Sequence, residues 1–282
     1  MGEPAGEARA EAGAGEARAG AGDVEVRAAD ADDGEARVER ALLPTPRIAD
    51  PGVWVATGYR PGRRGGAVLG GDFFDAIELA DGSIRAVIGD VSGHSADEAA
   101  LGACLRIAWR TLTLAGSAAE HLLVVLERML VCERHDEDSF ATVCVLNVSA
   151  DRGTLEMRLA GHPLPILVDR GGARLVHGAT RAPVGLETRS RWPVTRIEPD
   201  GEWSLLLYTD GLVEGHVGAG SQRLGADRLV ELVAALHPRR AAGGREAHAA
   251  FLERLIERVT ALGGGQLSDD VAALWLRVAP RG

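Results

Sequence analysis

Four aspartates stand where a run of apolar residues begins or stops: Asp72 in LGGDFFD (69–75), Asp90 in GDVSGHS, Asp210 in LYTDGLVEG and Asp269 in SDDVAALWL. Gathered in one place, with no Lys or Arg in the same motifs, such carboxylates would repel one another. The repulsion is about 4 kcal/mol per pair at 4 Å in an effective dielectric of 20. A divalent cation relieves it. An all-oxygen acidic site suits hard Mg²⁺ or Mn²⁺ better than zinc, which takes the imidazole and thiolate ligands these motifs lack. Turn formation or strand capping accounts for any one of these acids alone; the coincidence of four favours metal binding.

Whether the acids meet depends on the elements that carry them. FFDAIEL and IRAVIGDV read as strands on either side of Ala80-Asp81-Gly82-Ser83, and Asp-Gly is a strong two-residue hairpin turn. With Ala80 facing Ser83, Asp72 falls opposite Val91 and beside Asp90, with facing Cβ atoms about 5 Å apart. A bulge would move that pairing by one residue. Ser95-Ala96-Asp97-Glu98 and Ser117-Ala118-Ala119-Glu120 each read as a capping box opening a helix. Leu101, Cys104, Leu105, Ala108 and Leu112 then share one helical face, and Leu122, Val125, Leu126, Met129 and Leu130 another. Two further helices are expected near Leu224–Leu236 and Arg245–Leu262, between the Asp210 strand and the Asp269 strand. Mixed helix and strand blocks suit a layered α+β fold.

Composition bounds the rest. The chain has 282 residues, 46% hydrophobic and 26% charged, with a net charge of -10 that argues against a nucleic-acid surface. Residues 1–43 are Ala, Gly, Glu, Arg and Asp with almost nothing to bury, so a disordered tail is expected, followed by one domain over 44–282. Cys104, Cys132 and Cys144 show no close pairing and read as reduced core residues. No run of about 18 apolar residues occurs and no signal peptide is evident, so no membrane association and a cytoplasmic location are expected.

Six segments in order carry a resemblance: GGDFFD, GDVSGHS, FATVCVLNV, LAGHPLPILV, LYTDGLVEG and SDDVAALWL, over about 54–278. The chain resembles a PPM-type metal-dependent serine/threonine protein phosphatase of the SpoIIE/RsbU-like branch. The resemblance implies a four-layer αββα sandwich, with two central, mainly antiparallel sheets flanked by helices and the metals at one end of the sheets. It makes Asp90 the acid that bridges two divalent cations, Mn²⁺ or Mg²⁺. Asp72 and the Val91 carbonyl would complete one site, and Asp210 and Asp269 the other. Asp270, pointing the opposite way along its strand, is expected to stand behind the ligands or in solvent.

The implied catalytic groups are Asp90 and Asp210, with a water between the cations acidified for in-line attack on phosphorus. No protein nucleophile is required, and none of the three cysteines has the phosphate-cradling Arg of a cysteine phosphatase. His94 and His162 are the nearest candidates for a general acid, and neither has a firm role. Phe74 and Ser95 depart from the family's usual Tyr and Gly. The substrate implied is a phosphorylated STAS-type anti-sigma factor antagonist. No sensor domain precedes the phosphatase, so control is expected from a separate activator, the acidic tail or oligomerisation. The alternative is a non-catalytic phosphoprotein-binding pseudophosphatase. LGGDFFD also lies one letter from the Gly-Gly-Asp-Glu-Phe signature of cyclic-dinucleotide synthases. Those enzymes need a second acidic strand some 40 residues upstream, where this chain has only its tail.

Overall fold

The computed structural model describes residues 43–62, 70–93, 95–187, 191–215, 217, 222–238, 244–265 and 267–281. The expected disordered tail, apart from Leu43, and His94 lie outside the described residues. In chain order the elements are β1 (Val53–Arg60), β2 (Phe73–Glu78), β3 (Ile84–Val91), α1 (Ala96–Leu114), α2 (Ala119–Glu133), β4 (Ala141–Val148), β5 (Leu155–Ala160), β6 (Ile166–Asp169), β7 (Gly172–Leu175), β8 (Thr180–Arg181) and β9 (Thr195–Ile197). They continue with β10 (Trp203–Tyr208), α3 (Gly211–Glu214), α4 (Ala226–Leu236), α5 (Gly244–Leu262) and β11 (Val271–Val278).

The strands form two sheets, one ordered β2-β3-β4-β5-β8 with β9 also on β5, the other β1-β11-β10-β6-β7. All pairings are antiparallel except β5 with β8. Period-two alternation makes the layers. Phe74, Ile88, Cys144 and Leu146 face inward from the first sheet and meet Leu205, Leu207, Leu274 and Leu276 from the second. Their neighbours Phe73, Val87, Val143 and Val145 face outward onto Leu101, Leu105, Trp109, Leu122 and Leu126 of α1 and α2. Behind the second sheet, Leu206, Tyr208, Ala273 and Trp275 pack on Leu229 and Val233 of α4 and Phe251, Leu255 and Ile256 of α5. The result is the expected αββα sandwich. It explains why β11 is buried along its whole length: both faces of that strand are covered.

The β2–β3 hairpin corrects the expected register by one residue. Phe73 faces Gly89 and Glu78 faces Ile84, so Asp72 faces Asp90 rather than Val91. The loop is three residues long instead of two. Leu79 N donates to Ser83 O at 2.8 Å, Gly82 N donates to Leu79 O at 2.9 Å, and Gly82 takes φ +82°. That is a type I turn closed by a glycine bulge, and the positive φ is what glycine supplies there. Asp81 Oδ1 accepts from Ser83 N and Ser83 Oγ, fixing the turn.

The first capping box forms as expected. Ser95 Oγ accepts from Asp97 N, and Glu98 Oε2 accepts from Ser95 N at 2.7 Å. The second does not. Ser117 N donates to Leu112 O and Gly116 N to Thr113 O, the paired bonds of a Schellman ending to α1, so α2 starts from Ala118 with no side-chain cap. Cys144 is buried and Cys104 half-buried, but Cys132 is exposed, against the expectation of three core thiols. Cys132 follows the buried Leu130 by two positions, which turns it about 200° away from the core face of α2. Among the described residues, no helix is long and apolar enough to cross a membrane.

Candidate metal centre

Asp72 and Asp90 stand at the same end of the first sheet. The ladder continues past Phe73 because Val91 N donates to Gly71 O at 3.3 Å, which keeps Asp72 and Asp90 in facing positions on one side of the sheet. A Cβ at position 71 would collide with the Val91 carbonyl oxygen, so glycine leaves that oxygen room for a ligand. From the second sheet, β10 ends at Tyr208 and the chain turns through Thr209 and Asp210 into α3. Asp269 lies just before β11 and is exposed. Gly211 permits the close approach of these two segments, since a Cβ there would strike the Asp270 carbonyl oxygen.

The acids share one electrostatic field. Burial pushes the Asp90 carboxyl up to about 8, and the charges of Asp210, Asp269 and Asp270 push the same way, against a hydrogen bond with Asp72. Asp72, 2% exposed, is raised well above the usual carboxylate range by burial and then by Asp90, with Asp270 and Asp210 adding to the effect. Asp210 is raised by burial, Glu214 and Asp269. Burial and neighbouring like charges raise a carboxyl in the same direction, and here both act on Asp72, Asp90 and Asp210. Among the described residues, no three acidic, imidazole or thiolate groups converge closely enough to hold an ion as they stand. The donor set is nevertheless wholly oxygen, and its charge calls for a hard cation.

Asp270 shares this field and also has a backbone partner. Its Oδ1 accepts from Gly62 N at 2.7 Å, and its charge, after burial, helps raise the Tyr59 hydroxyl. His162 is sealed between the sheets at 4% exposure, with Nδ1 2.9 Å from Thr142 Oγ1. Thr142 faces Asp90 across β3 and β4. Burial pushes the imidazole down to about 3, so at neutral pH the ring is the uncharged tautomer rather than the imidazolium a general acid would need. Phe74 is 2% exposed between the sheets, a setting that suits an aromatic ring without a hydroxyl.

Two contacts had no signal in the sequence. Thr209 Oγ1 donates to Asp72 Oδ2 at 2.9 Å and accepts from Ala272 N at 2.9 Å, tying the first sheet's acid to the second sheet. Asp75, fully buried three residues after Asp72, binds Arg106 at 3.0 Å and also Arg110, both on α1. The arginines are one helical turn apart, a spacing that hindsight reads as one face but that nothing in the sequence joins to Asp75.

Solved structures share this architecture, among them domains described as PP2C-type phosphatases. The RsbU and RsbW domains of a Mycobacterium tuberculosis protein superpose with a TM-score of 0.70 and 28% identity, over 86% of this chain and 64% of that one. The SiaA-PP2C domain of Pseudomonas aeruginosa shares the fold at a TM-score of 0.69 and 18% identity, over 90% and 98% of the two chains. Residues 80–279 match the family described as Stage II sporulation protein E, and the chain belongs to this SpoIIE family. Phosphoserine phosphatase RsbP of Bacillus subtilis (strain 168) is 24% identical over 149 residues, 52% of this chain and 37% of that protein. The chain thus spans less than two thirds of RsbP and of the Mycobacterium tuberculosis structure.

Proposed function

We propose that this domain is a metal-dependent phosphoserine/phosphothreonine protein phosphatase in which Asp72, Asp90, the Val91 carbonyl, Asp210 and Asp269 hold two divalent cations, Mn²⁺ or Mg²⁺. The observation that carries the reading is the direct opposition of Asp72 and Asp90, with Asp210 and Asp269 of the other sheet lifting the Asp90 carboxyl. When bound, the cations supply Lewis acidity toward water and toward phosphoryl oxygens.

The chain's own part is positioning. Asp90 and Asp210, the proposed catalytic acids, present charge from two different sheets, so their separation is fixed by the core between those sheets. Thr209 orients Asp72 through its hydroxyl, and Gly71 keeps the Val91 carbonyl uncovered. Burial of Asp72 and Asp90 limits water around them, which strengthens every charge interaction there. A cysteine route gains no support from Cys144, whose buried thiol is pushed up to about 12.

The substrate that fits the family is a phosphorylated STAS-type anti-sigma factor antagonist, with a separate activator protein as the controlling partner. Phosphate release from a phosphoserine protein in the presence of Mn²⁺ should fall at least roughly a hundredfold in Asp90→Asn. Equal rates in both proteins would end the reading. Calorimetry separates the pseudophosphatase alternative, for which Mn²⁺ binding would be weak or confined to one site. Offering phosphorylated STAS proteins from the same genome in parallel identifies the substrate by its rate.

A further inference from the structure

On the outer face of the first sheet, away from the acidic end, a cavity of about 620 Å³ opens between α2, β5 and the segment before β9. Its lining includes Arg128, Arg158, Arg191 and His121, with Val124 and Trp192 as apolar contacts and Glu120 as the one acid. His121, Val124 and Arg128 recur at three and four positions along α2 and so share the helix face turned to the cavity. Trp192 is fixed as part of the wall, its Nε1 donating to Ala182 O at 2.9 Å.

This concentration of positive charge is unusual in a chain of net charge -10. Among the described residues, Arg128, Arg158 and Arg191 have no carboxylate at ion-pair distance, whereas the arginines nearby on β9 and α1 do, Arg196 with Glu156 and Arg106 with Asp75. Arg158 Nε is buried without an acceptor, and so are Nε and Nη1 of Arg85, two strands away. The two guanidiniums also repel each other across the sheet. Buried donors are almost always matched, so Arg158 Nε, unmatched in the cavity wall beside the unpaired Arg128 and Arg191, calls for an acceptor from outside.

We infer that this groove docks an acidic segment of a partner protein, its carboxylates on Arg128, Arg158 and Arg191 and an interspersed apolar side chain against Val124 and Trp192. A peptide suits the site better than one small anion. The three arginines come from three separate elements around the cavity, and its wall is partly apolar. This inference stands apart from the phosphatase reading, because none of these residues belongs to the acidic end.

The test is fluorescence anisotropy on the full chain with a labelled eight-residue Glu/Asp peptide carrying a central leucine. A Gln/Asn peptide of the same length and label serves as the control. Saturable binding of the acidic peptide alone is expected, weakening as salt rises. It should be about tenfold weaker in the double variant Arg128→Ala/Arg191→Ala and unchanged in Arg254→Ala, which removes an exposed arginine on α5. Thermal melts of the variants should match the parent. Equal peptide affinity in the groove variant and the α5 variant would overturn the proposal. So would absence of peptide binding while inorganic phosphate binds at the same arginines, which would make this a small-anion site.

Discussion

Thr209 is the residue on which the two halves of the acidic end meet. Its single hydroxyl donates to Asp72 and accepts from Ala272 N, and Thr209 itself is fully buried. Thr209→Val keeps the shape and leaves both partners unmatched, so a loss of about 1–3 kcal/mol in urea unfolding is expected, largely restored in Thr209→Ser. Asp90 behaves in the opposite sense. Its carboxyl is held up near 8 by burial and by neighbouring acids, so replacing it relieves repulsion. Asp90→Asn should therefore melt at a higher temperature than the parent in a chelator and show little of the rise that Mn²⁺ gives the parent, a comparison calorimetric scanning makes directly. At this scale the sequence was informative about acids and silent about what holds them. Asp72, Asp90, Asp210 and Asp269 announce themselves as charges at strand ends. Thr209 and His162 act through contacts between segments distant in the chain, and such contacts leave no local pattern.

Among the elements, α1 is secured twice. The capping box at Ser95 closes its first turn, and Asp75 reaches it from β2 through Arg106 and Arg110. Losing the cap in Ser95→Ala should cost about 1 kcal/mol. Losing Asp75 in Asp75→Ala strands a buried guanidinium, since Arg106 is only 7% exposed, and should cost about 3–5 kcal/mol by chemical denaturation. The ordering of the two losses is the informative result, because a helix held chiefly by its cap would reverse it. Element boundaries were largely legible where one residue had one use. Ser95 caps a helix in the sequence and in the fold. Ser117 was misread because its backbone is already engaged in ending α1, a use the side-chain pattern does not reveal. The hairpin shift has a similar origin. Asp-Gly fits both a two-residue turn and a three-residue loop with a bulge, and only the backbone angle at Gly82 separates them. The true register makes the acid pairing closer than the expected one, with Asp72 directly across from Asp90.

The sandwich as a whole keeps two histidines neutral in its layers. His162 between the sheets is pushed down to about 3 by burial, and His248 to about 4 by burial and the nearby Arg277 and His237. His248 Nδ1 accepts from Trp275 Nε1 at 3.1 Å, a bond that needs the unprotonated ring. The unfolded chain takes up these protons near pH 6.5 and the folded one does so only near pH 3 to 4. Stability from this source is complete above pH 6.5 and drains away as the pH falls toward 4. The raised carboxyls of Asp72 and Asp90 act in the opposite sense over the same interval, so the histidine contribution is read as a difference: the melting temperature of the parent relative to His248→Gln should fall as the pH drops from 6.5 toward 4. The layered class was readable because both sheets alternate and the helices are amphipathic. The pairing of the sheets' partners was not, since it joins strands far apart in the chain.

That pairing has a temporal side. β1 is translated first among the described strands, yet its neighbour in the sheet is β11, with Val53 set against Val278. β11 lies next to the edge of its layer, between β1 and β10. While the ribosome is still adding the segment before residue 271, β1 waits without its mate and is separated from the β10-β6-β7 part of the layer. Nascent protein should accordingly stay sensitive to protease, and exposed to holdase chaperones, until β11 emerges.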